Sequence, residues 1–218
     1  MNERNKVIVK AINLEQSTDR RTHIINQFCD KPEFSLCVVD AKVNERDAIG
    51  LGKTIIQIVN EEFMKGSDFF ILCEDEHTFT EEYSFELLFE CINQAKAVGA
   101  DLLAGGYSWF GNAVQISKNL FWVDKFNGMK FTVIFQKFYQ PILDTNLREN
   151  ITIELSLSNI TEHKFVIYPY ISIQKGLGYS DVTLKNTKEE YVDEIYRDSM
   201  ARLKILNKVK KFYFPNFK

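Results

Sequence analysis

Cysteine is sparse and unpatterned in this chain. Cys29, Cys37, Cys73 and Cys91 are scattered without CxxC spacing, so they read as reduced core residues rather than ligands. A basic excess is missing as well: the net charge is −3, and no global positive field argues for nucleic acid as a partner. No apolar stretch is long enough to span a bilayer, and the N-terminus, with Glu3, Arg4 and Lys6 ahead of a strand-like run, has no signal-peptide core. The expectation is a cytoplasmic protein. Internal repeats and low-complexity segments are absent from the sequence too. What remains is 218 residues with 45% hydrophobic content, enough for one domain with a sizeable core, or one domain with a small appendage.

The most informative stretch that is present runs Phe69-Phe70-Ile71-Leu72-Cys73-Glu74-Asp75-Glu76. An apolar run of strand length reads as a buried strand, and this one ends abruptly in three carboxylates. Ligands of open α/β sheets bind beyond the carboxyl ends of the strands. Three acids there suit a divalent cation held against phosphates. They equally suit a solvated acidic turn opening the next helix.

Around this stretch, strand and helix alternate. Val7 to Leu14 reads as a strand, Ser17 as the cap of a helix through Phe28, and Leu36 to Val39 as a second strand ending at Asp40. A helix from about Lys53 to Met64 closes at Gly66; another from about Glu81 to Ala97 ends at Gly99; Asp101 to Ala104 begins a further strand. This alternation predicts a parallel, Rossmann-like α/β sheet, whose right-handed crossovers align the strand tips along one rim. After Gly105-Gly106 the pattern breaks into short strands at Ala113 to Ile116, Leu120 to Val123 and Phe131 to Phe135, an interrupted helix at Phe138 to Asn146, and a Pro169-containing strand from Phe165 to Ile173. The organisation expected is a Rossmann-like half over 1–106, a mixed region over 107–188, and a C-terminal helix with a basic, aromatic tail over 189–218.

Gly52-Lys53-Thr54 invites a P-loop reading, but Asp47 stands where the pattern requires its first glycine. Gly50 and Gly52 are then loop glycines opening a helix. Lys53 either points its ammonium at a bound anion or is solvated.

Ile12-Asn13-Leu14 followed by Ser17, Asp19, Arg20 and Arg21 resembles the opening of the lipopolysaccharide-type glycosyltransferases, the group that includes procollagen galactosyltransferases. The likeness continues through Ile49-Gly50, through Phe70 to Glu76, and to Ser180-Asp181-Val182. It implies a GT-A fold: a Rossmann-like, mostly parallel sheet flanked by helices, with a smaller mixed C-terminal acceptor region. It also implies a DxD-type motif, a UDP-sugar donor, and manganese or magnesium. On that resemblance Glu74 and Asp75 lie near the ribose, Glu76 and Glu74 hold the metal, and His163 is its third ligand. Asn13 and Leu14, at the first strand tip, fall on the donor side. Position 76 is Glu where that family more often has Asp.

The chemistry implied is transfer of a hexose to a glycan or lipid-linked saccharide. The leaving diphosphate needs cationic stabilisation. Arg20 and Arg21 either fork onto phosphate or the base, or cover a solvated helix face. Asp40 accepts from uracil or ribose, or is a turn residue. Glu154 is the candidate base for the acceptor hydroxyl, against an exposed helix glutamate. His77 either tunes the adjoining acids or faces solvent, and Asp181 belongs to a loop that orders over the donor. Trp109 and Trp122 stack on an acceptor sugar or pack in the core. The lysines and aromatics of the tail read as a peripheral contact with the inner face of a membrane, or as a helix docked on its own core. The rival functions are a catalytically degenerate nucleotide-sugar or glycan binder and a P-loop-like nucleotide hydrolase.

Overall fold

β-Branched residues fill the first strand because a pleated segment covered on both faces selects them. The computed structural model describes residues 6–41, 48–146, 151–174 and 189–215; Asp47 and Ser180-Asp181-Val182 lie outside them. The chain begins β1 (Val7–Asn13), α1 (Thr18–Phe28), β2 (Phe34–Asp40), α2 (Ala48–Lys65), β3 (Phe69–Glu74). It continues with β4 (His77–Phe79), α3 (Phe85–Ala97), β5 (Leu102–Ala104), β6 (Trp109–Phe110), β7 (Ala113–Gln115), β8 (Leu120–Val123), β9 (Phe126–Asn127) and β10 (Phe131–Phe135). The remainder is α4 (Tyr139–Leu143), α5 (Ile153–Asn159), β11 (Lys164–Ile167), β12 (Ser172–Gln174) and α6 (Glu189–Tyr213).

One sheet of eight strands, ordered β2-β1-β3-β10-β5-β11-β8-β7, organises the molecule. β1 runs parallel to both neighbours, with Val9 paired to Leu36 on one side and Ile71 on the other. β10 enters antiparallel between β3 and β5, and β11 lies parallel to β5. The class is α/β, with a large mixed sheet in which β8 and β10 run against the other strands and helices flank both faces. Strands from both sides of Gly106 share this sheet.

The period of two along β3 builds the two layers. Phe70 and Leu72 face Ile55, Ile58 and Val59 of α2, together with Ile142, Leu157 and Leu203 of α4, α5 and α6. Ile71 and Cys73 face Ile24 and Phe28 of α1 and Leu88, Cys91 and Ile92 of α3. Truncating a side chain as enclosed as Ile58 costs about 2–5 kcal/mol.

Helix ends follow local chemistry. Gly66, at φ 69°, closes α2 with its N–H on Phe63 O and the Ser67 N–H on Glu62 O, the paired bonds of a Schellman end. Three expectations are corrected. α2 starts at Ala48, so Gly50, Gly52 and Lys53 lie within a helix, where Thr54 Oγ1 donates to Gly50 O at 3.0 Å. Among the described residues, 48–54 are helical and form no phosphate-cradling loop, which argues against the P-loop reading. α3 starts at Phe85 rather than Glu81, because β4 takes up 77–79 and Ser84 caps the helix by accepting from the Leu87 N–H at 3.1 Å. The single strand expected around Pro169 is two: β11 stays in the main sheet, and β12 turns away to pair with β4.

Candidate functional site at the carboxyl rim

Strand register brings distant polar tips together. Asn13 is level with Asp40, and Ile12 with Glu74, so the carboxyl ends of β1, β2 and β3 form one rim. Asp75 and Glu76 occupy the turn between β3 and β4. Both flanking strands are paired, which holds the acidic turn in place.

Each acid has an assigned partner. Asn13 Nδ2 donates to Asp75 Oδ2 at 2.8 Å and to Ser17 O at 3.1 Å. Arg20, buried on α1, lies 4.0 Å from Asp75 Oδ1 and 3.5 Å from Glu76 Oε1. Lys130 Nζ contacts Glu74 and sits 3.5 Å from Glu76 Oε2. Gln174 Nε2 donates to the same Glu76 oxygen at 2.8 Å. Buried charges demand this degree of pairing, since desolvation otherwise outweighs what the fold gains.

The electrostatics follow from the crowding. Burial raises the Asp75 carboxyl to about 6; Asn13 and Arg20 pull it down, and Glu74 and Glu76 push it up. Glu154, half-buried in the first turn of α5, has a raised pKa too, through burial first and the charge of Glu74 second, opposed by Lys130. Burial acts to lower the Lys130 pKa, but Glu74 and Glu76 outweigh it and the ammonium is held well above its ordinary value. Tyr196 of α6 interacts with Lys130, Glu74 and Glu76, and burial is the main cause of its raised pKa. Two buried polar atoms at this rim, Asn13 Oδ1 and the Tyr196 hydroxyl, have no hydrogen-bond partner among the described residues.

The structure therefore gathers Asn13, Arg20, Glu74, Asp75 and Glu76, with Glu154 close enough to feel the charges of Glu74 and Lys130. Arg21 and Asp40 pair with each other at 2.6 Å on the exposed outside of the rim. Leu14 turns the chain, its carbonyl accepting from the Ser17 N–H at 2.8 Å, and Lys53 is exposed on α2. His163 is not brought in. Its carbonyl accepts from the Asp101 and Leu102 N–H groups where β5 starts, at the opposite rim from Glu74, so it is not a third ligand beside the acids.

His77 neither tunes the acids nor faces solvent. It is fully buried, stacked on Phe131 at 4.9 Å between centroids, bonded through Nδ1 to Ser172 Oγ at 2.7 Å, and lowered by burial to about 3. Trp109 is half exposed, whereas Trp122 donates to Glu162 O at 2.6 Å. Lys130, Gln174 and Tyr196 carried no motif in the sequence. Only the Gly128 turn ahead of Lys130 marked its neighbourhood, and chain-distant pairing brings all three to the acids.

Manganese or magnesium needs hard oxygen donors free to converge. Among the described residues no three His, Cys, Asp or Glu side chains are grouped to hold an ion, and the rim acids are already engaged by Arg20, Lys130 and Gln174. As they stand, these side chains do not fit a ready-made metal cage. They do combine a half-buried carboxylate able to take a proton with a buried arginine and a mostly enclosed lysine able to stabilise an anion.

No family model matches the chain, and no curated protein matches it in sequence. Among solved structures it is similar to the A197 protein from STIV, with TM-score 0.51 and 11% identity over 81% of this chain and 87% of that one; this likeness shows a shared fold. Weaker likenesses run to a UDP-glucose pyrophosphorylase complexed with UDP-glucose (TM-score 0.49, 9% identity, 88% and 81% covered). Another is a glycosyltransferase involved in glycosylation of the major capsid of PBCV-1 (TM-score 0.47, 6% identity, 74% and 81% covered). Nothing about the chemistry of this chain follows from those two.

Proposed function

We propose that this protein is a nucleotide-sugar-dependent glycosyltransferase that moves a hexose from a UDP-sugar to a glycan or lipid-linked saccharide. The observation that carries the reading is the charged rim: three acids at a parallel strand tip, joined by Asn13, Arg20, Lys130 and Glu154 where α/β sheets bind ligands. In this reading the unpartnered Asn13 Oδ1 accepts from a donor hydroxyl while Asp75, bonded to the same amide, faces the ribose. Arg20 and Lys130 oppose the charge that develops on the leaving diphosphate. Glu154 takes the proton of the attacking acceptor hydroxyl, and its raised pKa makes it a stronger base than a solvated carboxylate.

The last turns of α6 favour the lipid-linked form of the acceptor. Ile205, Val209, Phe212, Tyr213 and Phe214 are exposed beside Lys204, Lys208 and Lys211, the composition of an interfacial helix on anionic lipid. No helix among the described residues is long and apolar enough to cross a membrane.

Release of UDP from a panel of UDP-hexoses, with and without saccharide acceptors, tests the reading. Acceptor-dependent release that falls about 10²–10⁴-fold in Glu154→Gln, with UDP affinity unchanged, is expected. Acceptor-independent UDP binding with no release identifies a degenerate binder. Absence of any UDP affinity rejects the proposal.

A further inference from the structure

Glu76 is capped from three directions: Arg20 at 3.5 Å on one oxygen, and Lys130 at 3.5 Å and Gln174 at 2.8 Å on the other. Lys130 is tied to this place by backbone as well as side chain. Its carbonyl accepts from the Glu74 N–H at 3.1 Å, immediately before β10 pairs with β3. Its side chain is 12% exposed, against 19% for Glu74 and 11% for Glu76. Gly128, at φ 87°, delivers the approach, and a side chain there would meet the Ser108 hydroxyl at 2.7 Å. A divalent ion bridging these two carboxylates would need the position the ammonium holds, and two cations cannot share it.

We propose that Lys130 is the resident cation of the acidic strand tip: it occupies the ground between Glu74 and Glu76 and meets the donor diphosphate itself, so that nucleotide binding proceeds without a divalent ion. The proposal rests on the nucleotide-sugar reading above. An ammonium carries three protons; Glu74 accepts one, Glu76 holds the charge as an ion pair, and a proton is left to serve a phosphate oxygen. The acids then act as the clamp that keeps the cation in place, and Gln174 keeps Glu76 from swinging away.

Two measurements decide it. Manganese alone is titrated into wild type, Lys130→Arg and Lys130→Met, with free Mn2+ read by electron paramagnetic resonance. Wild type and Lys130→Arg should leave manganese free. Lys130→Met should gain affinity by about tenfold or more, equivalent to about 1.4 kcal/mol, and adding Glu76→Gln should abolish the gain. Calorimetric UDP binding by wild type should be the same in EDTA and in manganese.

Uptake of manganese by wild type at a site lost in Glu76→Gln overturns the proposal, as does UDP binding that disappears in EDTA. Should Lys130→Met fail to fold by circular dichroism, the wild-type and Lys130→Arg arms still decide. If wild type binds UDP in neither buffer, the nucleotide-sugar reading fails, while the manganese titration separately answers whether Lys130 holds the cation position.

Discussion

The tip of β3 and the last turns of α6 are both dense in charge, and they handle it in opposite ways. At β3 the carboxylates of Glu74, Asp75 and Glu76 are mostly enclosed, and each is met by a base or an amide supplied from α1, β1, β12 or the approach to β10. At α6, Lys204, Lys208 and Lys211 stand exposed among exposed aromatics. Desolvation makes the difference. An enclosed charge is tolerable only when the fold returns a partner, so the β3 tip is committed to partners from within the fold. A solvated charge costs little, and the α6 end stays available to another surface.

α1 repeats the contrast within two consecutive residues. Arg20 is buried against Asp75 and Glu76, whereas Arg21 pairs with Asp40 at the exposed edge. Arg20→Ala should therefore destabilise the protein by about 3–5 kcal/mol, because it strands enclosed carboxylates. Arg21→Ala should cost about 1 kcal/mol or less. Urea unfolding of the two variants compares them directly, and equal losses would erase the distinction between inner and outer rim.

Asp75 sharpens the same comparison through pH. Its folded pKa of about 6 lies above the unfolded value of about 3.9. The native state therefore binds the proton more tightly between those values, and this carboxylate opposes folding above pH 6. Lowering the pH from 7 to 4 should raise the stability of wild type relative to Asp75→Asn by up to about 3 kcal/mol, with no further change below the unfolded pKa. Unfolding free energies across that window, converging in the opposite direction, would mean that Asp75 is held as a favourable ion pair.

The smallest effect on stability belongs to α6. Replacing Phe212 and Phe214 with Ser should shift unfolding by about 0.5 kcal/mol or less while weakening sedimentation with anionic vesicles. Neutral vesicles should bind neither form. Unchanged vesicle binding would show that the aromatic end has no part in reaching a lipid-linked acceptor.

Much of this architecture was readable residue by residue. β1, α1, β2 and β3 follow from apolar periodicity and turn chemistry, and Gly66 and Gly99 end their helices at positive φ. Asn13, Arg20 and the acids Asp75 and Glu76 do meet, and Glu154 lies within reach of the charge of Glu74. Periodicity did not disclose the antiparallel insertion of β10, the division between β11 and β12, or the withdrawal of His77 into the aromatic cluster of Phe28, Phe79 and Phe131. Gly52-Lys53-Thr54 shows the opposite error: a local motif that suggested a loop is part of a helix, because α2 begins upstream of it.

By itself, then, the order of side chains determined that β1, β2 and β3 are strands and α1 a helix, and it placed an acidic tip at the end of β3. Those are short-range matters of sterics and burial, decided within a few residues. Which charges neutralise that tip was decided only in three dimensions. Lys130 and Gln174 stand 56 and 98 residues from Glu74 and Glu76 respectively, and sheet pairing carries them there: β10 against β3, and β12 against β4.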